Sequence, residues 1–289
     1  MKKILVTGAT GFIGNYVIEA LLQHKVSVIA TSSNLEKAKT FAWFNKVNYI
    51  QFDFTKFDTK ENYFQFFGNP DALIHLAWEG LPNYKNDFHI TENLPRHQHF
   101  LENMAVNGLK DVSITGTCFE YGMQDGELKE TLECKPGNAY AIAKNELRIF
   151  TETLAIKYSL NLKWIRLFYM FGKGQNPNSL TSQLDKAIEA NAPVFNMSGG
   201  EQIRDFLPVE KVAENIVTIA LQNNINGIIN CCSGVPITVK TFVEHYLQTH
   251  NKIIELNLGY YPYPDFEPMY FWGNNEKLKT IINGQNSGV

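Results

Sequence analysis

Three glycines at three-residue spacing join the first apolar run of the chain to its first amphipathic one. KILVTG (3–8) reads as a strand, FIGNYVIEALLQH (12–24) carries apolar residues at helical spacing, and TGATGFIG places Gly8, Gly11 and Gly14 between them. Glycines at such a junction allow a tight turn and bring backbone N–H groups of a helix N-terminus close to a pyrophosphate. The spacing is G-x-x-G-x-x-G and not the commonest dinucleotide fingerprint, G-x-G-x-x-G. The strand–turn–helix context therefore carries the reading more than the glycines alone.

The alternation continues. VSVIAT (26–31), VNYIQF (47–52), DALIHLA (71–77), KDVSITG (110–116) and NLKWIRLF (161–168) read as strands. Helical stretches separate them, at LEKAKTFAWF (35–44) and near 60–67, 91–107 and 138–159. This pattern predicts an α/β fold with a doubly wound parallel sheet covered by helices on both faces. Past about residue 170 the rhythm weakens. GKGQNPNS (172–179) and NMSGGEQ (196–202) are loop-like, VEKVAENIVTIALQ (209–222) is an amphipathic helix and GIINCC (227–232) a strand. GYYPYPDFEPMYFWG (259–273) is crowded with proline and aromatic residues. Two lobes are expected: a main one from 1–170 plus 199–232 that carries the sheet, and a smaller one from 171–198 plus 233–289.

The 289 residues suffice to bury a core of that size, and 26 basic against 29 acidic residues (net −3) leave no footprint for nucleic acid or a membrane surface. No stretch is long and apolar enough to span a bilayer, and the start MKKILV is cut short by Gly8, unlike a secretory leader. Cys118, Cys134, Cys231 and Cys232 form no CxxC pair, which predicts reduced thiols and a cytoplasmic protein.

A carboxylate at the end of the second strand would bind the adenosine ribose hydroxyls of NAD. The strand here ends in Thr31, Ser32, Ser33 and Asn34, with Lys37 nearby, a set that accepts a 2′-phosphate, so NADPH is expected in preference to NADH. Downstream, PGNAYAIAKNELRIF holds Tyr140 and Lys144 four residues apart, on one face of a helix. A phenol with its usual pKa of about 10 exchanges protons poorly at neutral pH, and an ammonium beside it favours the phenolate. Such a pair can give or take a proton at a carbonyl or alcohol oxygen during hydride transfer.

TGATGFIG, HLAW after the fourth strand, TGTCFEYG after the fifth, YAIAK, RLFYMFGKGQNPNSL and GGEQIRDFLPVEKVAENI together resemble the extended short-chain dehydrogenase/reductase (NAD-dependent epimerase/dehydratase) family over nearly the whole chain. The resemblance implies a seven-stranded Rossmann domain and a C-terminal lobe that grips a nucleotide-diphosphate sugar. It also implies a homodimer through the helices near 91–107 and 138–159. The catalytic triad would be Thr117, Tyr140 and Lys144. Cofactor contacts would fall at Gly8, Thr10, Gly11, Phe12, Ile13, Ser32, Ser33, Lys37, Asp53, Phe54, Leu76 and Ala77, with Asp53 against the adenine and with Tyr140 and Lys144 joining them. Substrate contacts would fall at Trp78, Tyr84, Tyr169, Asn178 and Arg204, with Arg204 at the nucleotide diphosphate.

Within the resemblance, GTCFEYG (116–122) bears on reaction type. Family dehydratases carry Asp then Glu after the catalytic hydroxyl, whereas Cys118 and Phe119 follow Thr117 here, and a phenylalanine moves no proton. GDP-fucose synthase relatives place a cysteine at the position of Phe119, and Cys118, one residue off at a strand end, points elsewhere. Cys118 reads as a small buried filler and Glu120 as a surface or loop carboxylate, neither with a catalytic role. Trp78 reads equally as core packing or as a neighbour of sugar or nicotinamide. HLAWEGLPNYKN is similar to the bacterial 4-ketoreductases of deoxysugar synthesis, of the dTDP-4-keto-6-deoxyglucose reductase and CDP-abequose synthase type, which serve surface polysaccharides. The expected activity is NADPH-dependent reduction of a dTDP- or CDP-linked 4-keto-6-deoxyhexose, with dTDP-fucose as the specific product. The alternatives are a UDP-sugar 4-epimerase that retains NAD and a non-catalytic, redox-sensing NADP-binding protein. His75 reads as a core histidine, and His97 and His99 diverge on a helix and make no metal site.

Overall fold

In the computed structural model, which describes residues 1–56, 58, 60–265 and 267–286, seven strands form one sheet. They are β1 (Lys2–Thr7), β2 (Val26–Ser32), β3 (Asn48–Gln51), β4 (Ala72–His75), β5 (Asp111–Thr117), β6 (Asn161–Leu167) and β7 (Gly227–Cys231). The order is β3-β2-β1-β4-β5-β6-β7, with every neighbouring pair parallel. The winding reverses between β1 and β4, and the crevice at the carboxyl ends of such a pair is where sheets of this kind bind ligands. The helices are α1 (Phe12–Leu21), α2 (Leu35–Lys39), α3 (Tyr63–Phe66), α4 (Leu94–Val106), α5 (Ala139–Tyr158), α6 (Leu180–Glu189), α7 (Val209–Leu221), α8 (Val239–Thr249) and α9 (Glu276–Asn286).

Strand alternation builds two cores. Ile4 and Val6 of β1 enter one with Val28, Ile74, Ile165 and Ile229, closed by α1 and α7 through Val17, Ile18, Leu21, Val212 and Ile216. Leu5 enters the other with Ile29, Leu73, Val112, Ile114 and Trp164, closed by α4 and α5 through Phe100, Met104, Leu147 and Leu154. Each fully buried aliphatic side chain contributes roughly 1.5–3 kcal/mol, which fixes the strand ends that carry the site. A third cluster, Leu184, Phe195, Met197, Phe242, Val243 and Leu247, lies between α6 and α8, below a parallel pair of short strands, Val194–Asn196 and Glu255–Asn257.

Three sequence expectations differ from the structure. The helix expected over 35–44 stops at Lys39, because the next residues turn to bury Trp43. Its ring stacks on Phe41 (5.2 Å, 9°) and its Nε1–H donates to Asn15 Oδ1 at 2.8 Å. The helix near 60–67 is the single turn of α3, capped by Asn62. The lobe expected over 233–289 does not keep α9, since Leu278 and Ile281 sit in the main core with α7; residues 287–289 lie outside the described residues. No helix among the described residues is long and apolar enough to cross a membrane, and all four cysteines are free thiols.

Candidate active site

The loop after β1 is shaped for an anion. Gly8 has φ +70°, and a Cβ there would lie 2.9 Å from the backbone N of Ala77, just past β4. A Cβ on Gly14 would lie 2.1 Å from the Gly8 carbonyl oxygen, so glycine lets α1 start hard against the loop. Gly11 caps α1 without a side-chain hydrogen bond, and no acid stands in the first turn. The first N–H groups, including those of Phe12 and Ile13, thus lack helical partners and face the crevice end of the sheet. Thr10 is buried, and the Thr31 hydroxyl at the end of β2 is buried with no partner. This cradle fits a dinucleotide pyrophosphate.

Around it, Ser33 and Lys37 are exposed, while the Ser32 hydroxyl is 2.9 Å from the Tyr49 hydroxyl. Asp53 accepts from the hydroxyl and N–H of Thr55, which hold its carboxyl below the usual range. Phe54 departs from expectation as a cofactor contact, because its ring is buried in the second core against Phe100 and His97. The N–H groups of Leu76 and Ala77 donate to Thr7 Oγ1 at 3.2 and 3.3 Å. The Thr7 hydroxyl shares a hydrogen bond with His75 Nδ1 (2.8 Å), and His75 Nε2 shares one with His97 Nδ1 (2.9 Å). Burial keeps both imidazoles neutral, with His75 pushed down to about 3 by burial and by the charge of Lys144. His75 is thus a satisfied core histidine that ties β1 to β4 and α4.

The triad residues converge from two elements. Thr117 ends β5 and caps the 3₁₀ turn Cys118–Tyr121: its hydroxyl accepts from Phe119 N–H (3.3 Å), while Glu120 Oε1 accepts from Thr117 N–H (2.8 Å). Asn138 caps α5 by accepting from Ala141 N–H at 2.9 Å. Tyr140 therefore lies in the first turn, where its N–H has no helical partner, and it donates to the carbonyl of Tyr84 at 2.9 Å. That bond fixes the 78–87 loop over the site. The Tyr84 ring lies tilted 5.6 Å from that of Tyr140 and edge-on 5.2 Å from that of Phe119, and burial pushes its phenol up to about 12.

Tyr140 reverses one expectation. Its phenol is raised above the usual tyrosine range, by burial first and then by Tyr84, Glu120 and Cys118, with a hydrogen bond to Thr117 opposing. The Lys144 ammonium does not offset this. It sits 4.5 Å over the Trp78 ring and 5.6 Å from that of Trp164, and burial pulls it down to about 8. Trp78, expected as a substrate contact or as packing, is a positioning residue here. Its indole stacks on His97 (4.8 Å, 16°), and its Nε1–H donates to His89 Nδ1 at 3.1 Å. His89, missed in the sequence, passes this on by donating from Nε2 to the Asn83 carbonyl (3.1 Å), in the same loop as Tyr84.

The remaining residues divide. Glu120 is a fully buried anion and not a loop carboxylate: it accepts from Arg166 Nε (2.8 Å) and Trp164 Nε1 (3.0 Å) as well as from Thr117. Cys118 is buried, and burial pushes its thiol far up. Tyr169 lies 6.4 Å from Phe119, with its hydroxyl buried and without a hydrogen bond of good geometry. Asn178 is exposed ahead of α6, its carbonyl accepting from Gln183, and no hydrogen bond joins it to the triad. Arg204, expected to await a diphosphate, is already engaged. Its Nη1 donates to the carbonyls of Ile203 (2.8 Å) and Met269 (3.1 Å), and its Nη2 pairs with Glu267 at 2.9 Å.

Comparison with known proteins agrees with this geometry. The model of the NAD dependent epimerase/dehydratase family matches residues 4–232. The chain is 32% identical over 271 residues, 93% of its length and 98% of the relative's, to a dTDP-6-deoxy-L-talose 4-dehydrogenase (NAD(+)) of Aggregatibacter actinomycetemcomitans. It is 24% identical to a UDP-glucuronate 4-epimerase of Thermodesulfobacterium geofontis, over 98% of this chain and 91% of that one. In fold it is similar to the UDP-glucuronic acid 4-epimerase of Bacillus cereus solved with NAD (TM-score 0.81, 22% identity, 97% of this chain and 90% of the other). It is equally similar to TunA, an NAD dependent NDP-hexosamine 5,6-dehydratase (TM-score 0.81, 21% identity, 98% and 91%). The chain is an enzyme of the NAD dependent epimerase/dehydratase family, whose members act on nucleotide sugars.

Proposed function

We propose that this enzyme interconverts the C4 ketone and C4 alcohol of a nucleotide-linked 6-deoxyhexose and works in the cell as an NADPH-dependent 4-ketoreductase. The observation that carries the reading is that the turn after β5 leaves no second acid or base free beside Tyr140. Tyr140 is held as a neutral phenol beside Thr117, Cys118 is held as a thiol, and Glu120 is locked in an ion pair. Elimination of water asks for an acid and a base; ketone reduction asks only for an acid at the carbonyl oxygen. A nicotinamide bound along β1 and β4 would supply the hydride. Thr117 and Tyr140 would hold the C4 oxygen and Tyr140 would hand it a proton, while Lys144, on the same helix face, would hold the cofactor ribose and favour the phenolate left behind.

The similarity to a dTDP-6-deoxy-L-talose 4-dehydrogenase supports a dTDP sugar lacking the 6-hydroxyl. Oxidation of a C4 alcohol and reduction of a C4 ketone are one equilibrium, so a dehydrogenase name and a reductase role describe the same site. For the cofactor, the absence of a carboxylate among residues 31–34 and the exposed Ser33 and Lys37 favour a 2′-phosphate, whereas that relative is named for NAD(+). The second reading, a 4-epimerase, is favoured by the similarity to UDP-glucuronate 4-epimerases.

The test is nicotinamide absorbance with dTDP-4-keto-6-deoxyglucose and either NADPH or NADH, and, as a separate substrate, oxidation of dTDP-6-deoxy-L-talose with either oxidised cofactor. Cofactor conversion that Tyr140→Phe abolishes is the expected result. No conversion in either direction, with NAD retained through purification, would instead establish the epimerase.

A further inference from the structure

The Arg204 guanidinium is the one strong cation expected at the substrate diphosphate, yet in the structure it already holds an anion from its own chain. Glu267 comes from the proline- and aromatic-rich segment 259–273, reaches Arg204 at 2.9 Å, and is itself only 12% exposed. The guanidinium lies face-on over Phe271, 4.6 Å from its centroid, and 5.7 Å from that of Tyr169. Both protons of Nη1 go to backbone carbonyls, so Nη2 is the corner turned to Glu267. This corner belongs to the candidate site: Pro268 and Phe271 line one small cavity with Cys118 and Phe119, and the charge of Glu267 is felt by Tyr84 and Cys118. The neighbouring Asp265 meets Lys85 of the 78–87 loop at 3.3 Å, so the two segments that cover the site touch beside it.

We propose that Glu267 is an internal competitor at the substrate subsite: an anion that occupies Arg204 until a nucleotide diphosphate displaces it. This rests on the nucleotide-sugar reading. The physical reason is competition. A ligand whose binding-competent state is only partly populated binds more weakly by that fraction, and here the competent state is Arg204 without Glu267. A diphosphate brings more charge and more acceptor oxygens than one carboxylate and wins the exchange. Every phosphorylated ligand that needs Arg204 carries the same penalty, and a nucleoside that does not reach Arg204 carries none. After displacement, Glu267 stays tethered through Pro268 beside Tyr84 and Tyr169, where its carboxylate can accept from hydroxyls of the substrate and oppose a second carboxylate.

The experiment is calorimetric titration of the full-length protein, Glu267→Gln and Glu267→Ala with dTDP, UDP and GDP, with dTMP and thymidine as controls. Glu267→Ala should bind the diphosphate that suits the base about tenfold more tightly, with dTMP gaining as much, because the internal competitor is gone. Glu267→Gln, which keeps a neutral acceptor, should gain in the same direction by less. Thymidine affinity should not move. Glu267→Gln keeps the shape and an acceptor for Arg204, so it serves if the alanine variant fails to fold. Diphosphate binding unchanged or weakened in a folded Glu267→Gln would overturn the inference and make Glu267 a structural partner, while leaving the enzyme's activity in place. If the unaltered protein binds none of the three diphosphates, the nucleotide-sugar reading itself fails, and this inference with it.

Discussion

Two Arg–Glu pairs flank the candidate site, and they are built differently. Glu120 and Arg166 lie beneath the catalytic strand end, and both side chains are fully buried. Glu120 there accepts from a backbone N–H, an indole and a guanidinium at once. Arg204 and Glu267 lie at the substrate side, and Glu267 contributes one oxygen to one guanidinium nitrogen. The first pair is a floor: a backbone N–H, an indole and a guanidinium converge on the carboxylate, and the Thr117 cap depends on it. The second is a wall with a single charge contact, its Glu267 also meeting the buried Tyr169 hydroxyl, and an incoming anion can replace it. Polar networks gain rigidity when every member is satisfied, and a single contact between charges is the place where exchange is cheapest.

The largest effect expected of the floor is chemical. Tyr140→Phe should lower turnover by about 10²–10⁴-fold while leaving the melting temperature nearly unchanged, since the phenol is the one proton donor at the C4 oxygen. Retained turnover would move the acid elsewhere. Next is stability. Glu120→Gln should cost about 3–5 kcal/mol in a denaturant titration, because it leaves Arg166 buried without a counter-charge; that guanidinium already has one nitrogen, Nη1, with no partner. A loss below about 1 kcal/mol, the size of an exposed pair, would erase the distinction between the two pairs.

Lys144 gives the third effect and carries a pH signature. Its native value of about 8 lies below the usual 10.5, so between these pH values the unfolded chain binds the proton and the native chain does not. Stability contributed by this group therefore rises as pH increases from 8 to 10.5, and below 8 the buried ammonium costs on the order of 1–3 kcal/mol. Lys144→Met should be inactive, more stable than the parent at pH 7, and without that rise; a variant less stable at pH 7 would mean that the cation–π contact with Trp78 outweighs burial. The smallest effect belongs to the wall. Glu267→Gln should change stability by no more than about 1 kcal/mol, because Arg204 keeps two carbonyl acceptors and the amide oxygen can still accept from Nη2.

The glycine turn into α1 and the shared helix face of Tyr140 and Lys144 were legible in the sequence because each rests on local spacing. A strand, three glycines and a helix follow one another at once, and Tyr140 and Lys144 share a helix face by spacing alone. Trp78 could not be placed, since its partners His97, His89 and Lys144 come from three separate turns of chain that only the fold brings together. Glu120 looked like a loop carboxylate because nothing next to it announces Arg166 and Trp164, which arrive from β6. The helix over 35–44 was overread because its apolar spacing is helical, while burial of Trp43 against Asn15 and Phe41 ends it early. Glu267 gave no signal at all: it sits in a segment whose prolines and aromatics mask any period, and its partner Arg204 was read as free for the substrate.

The most direct test of a C4 redox enzyme is to follow the hydrogen itself. The dTDP-4-keto-6-deoxyhexose would be turned over with cofactor deuterated at nicotinamide C4, and the released sugar examined by mass spectrometry and NMR. The account predicts one deuterium at sugar C4 per cofactor oxidised. Inversion at C4 of a dTDP- or UDP-sugar with no label gained and no cofactor consumed would contradict it and make the enzyme an epimerase.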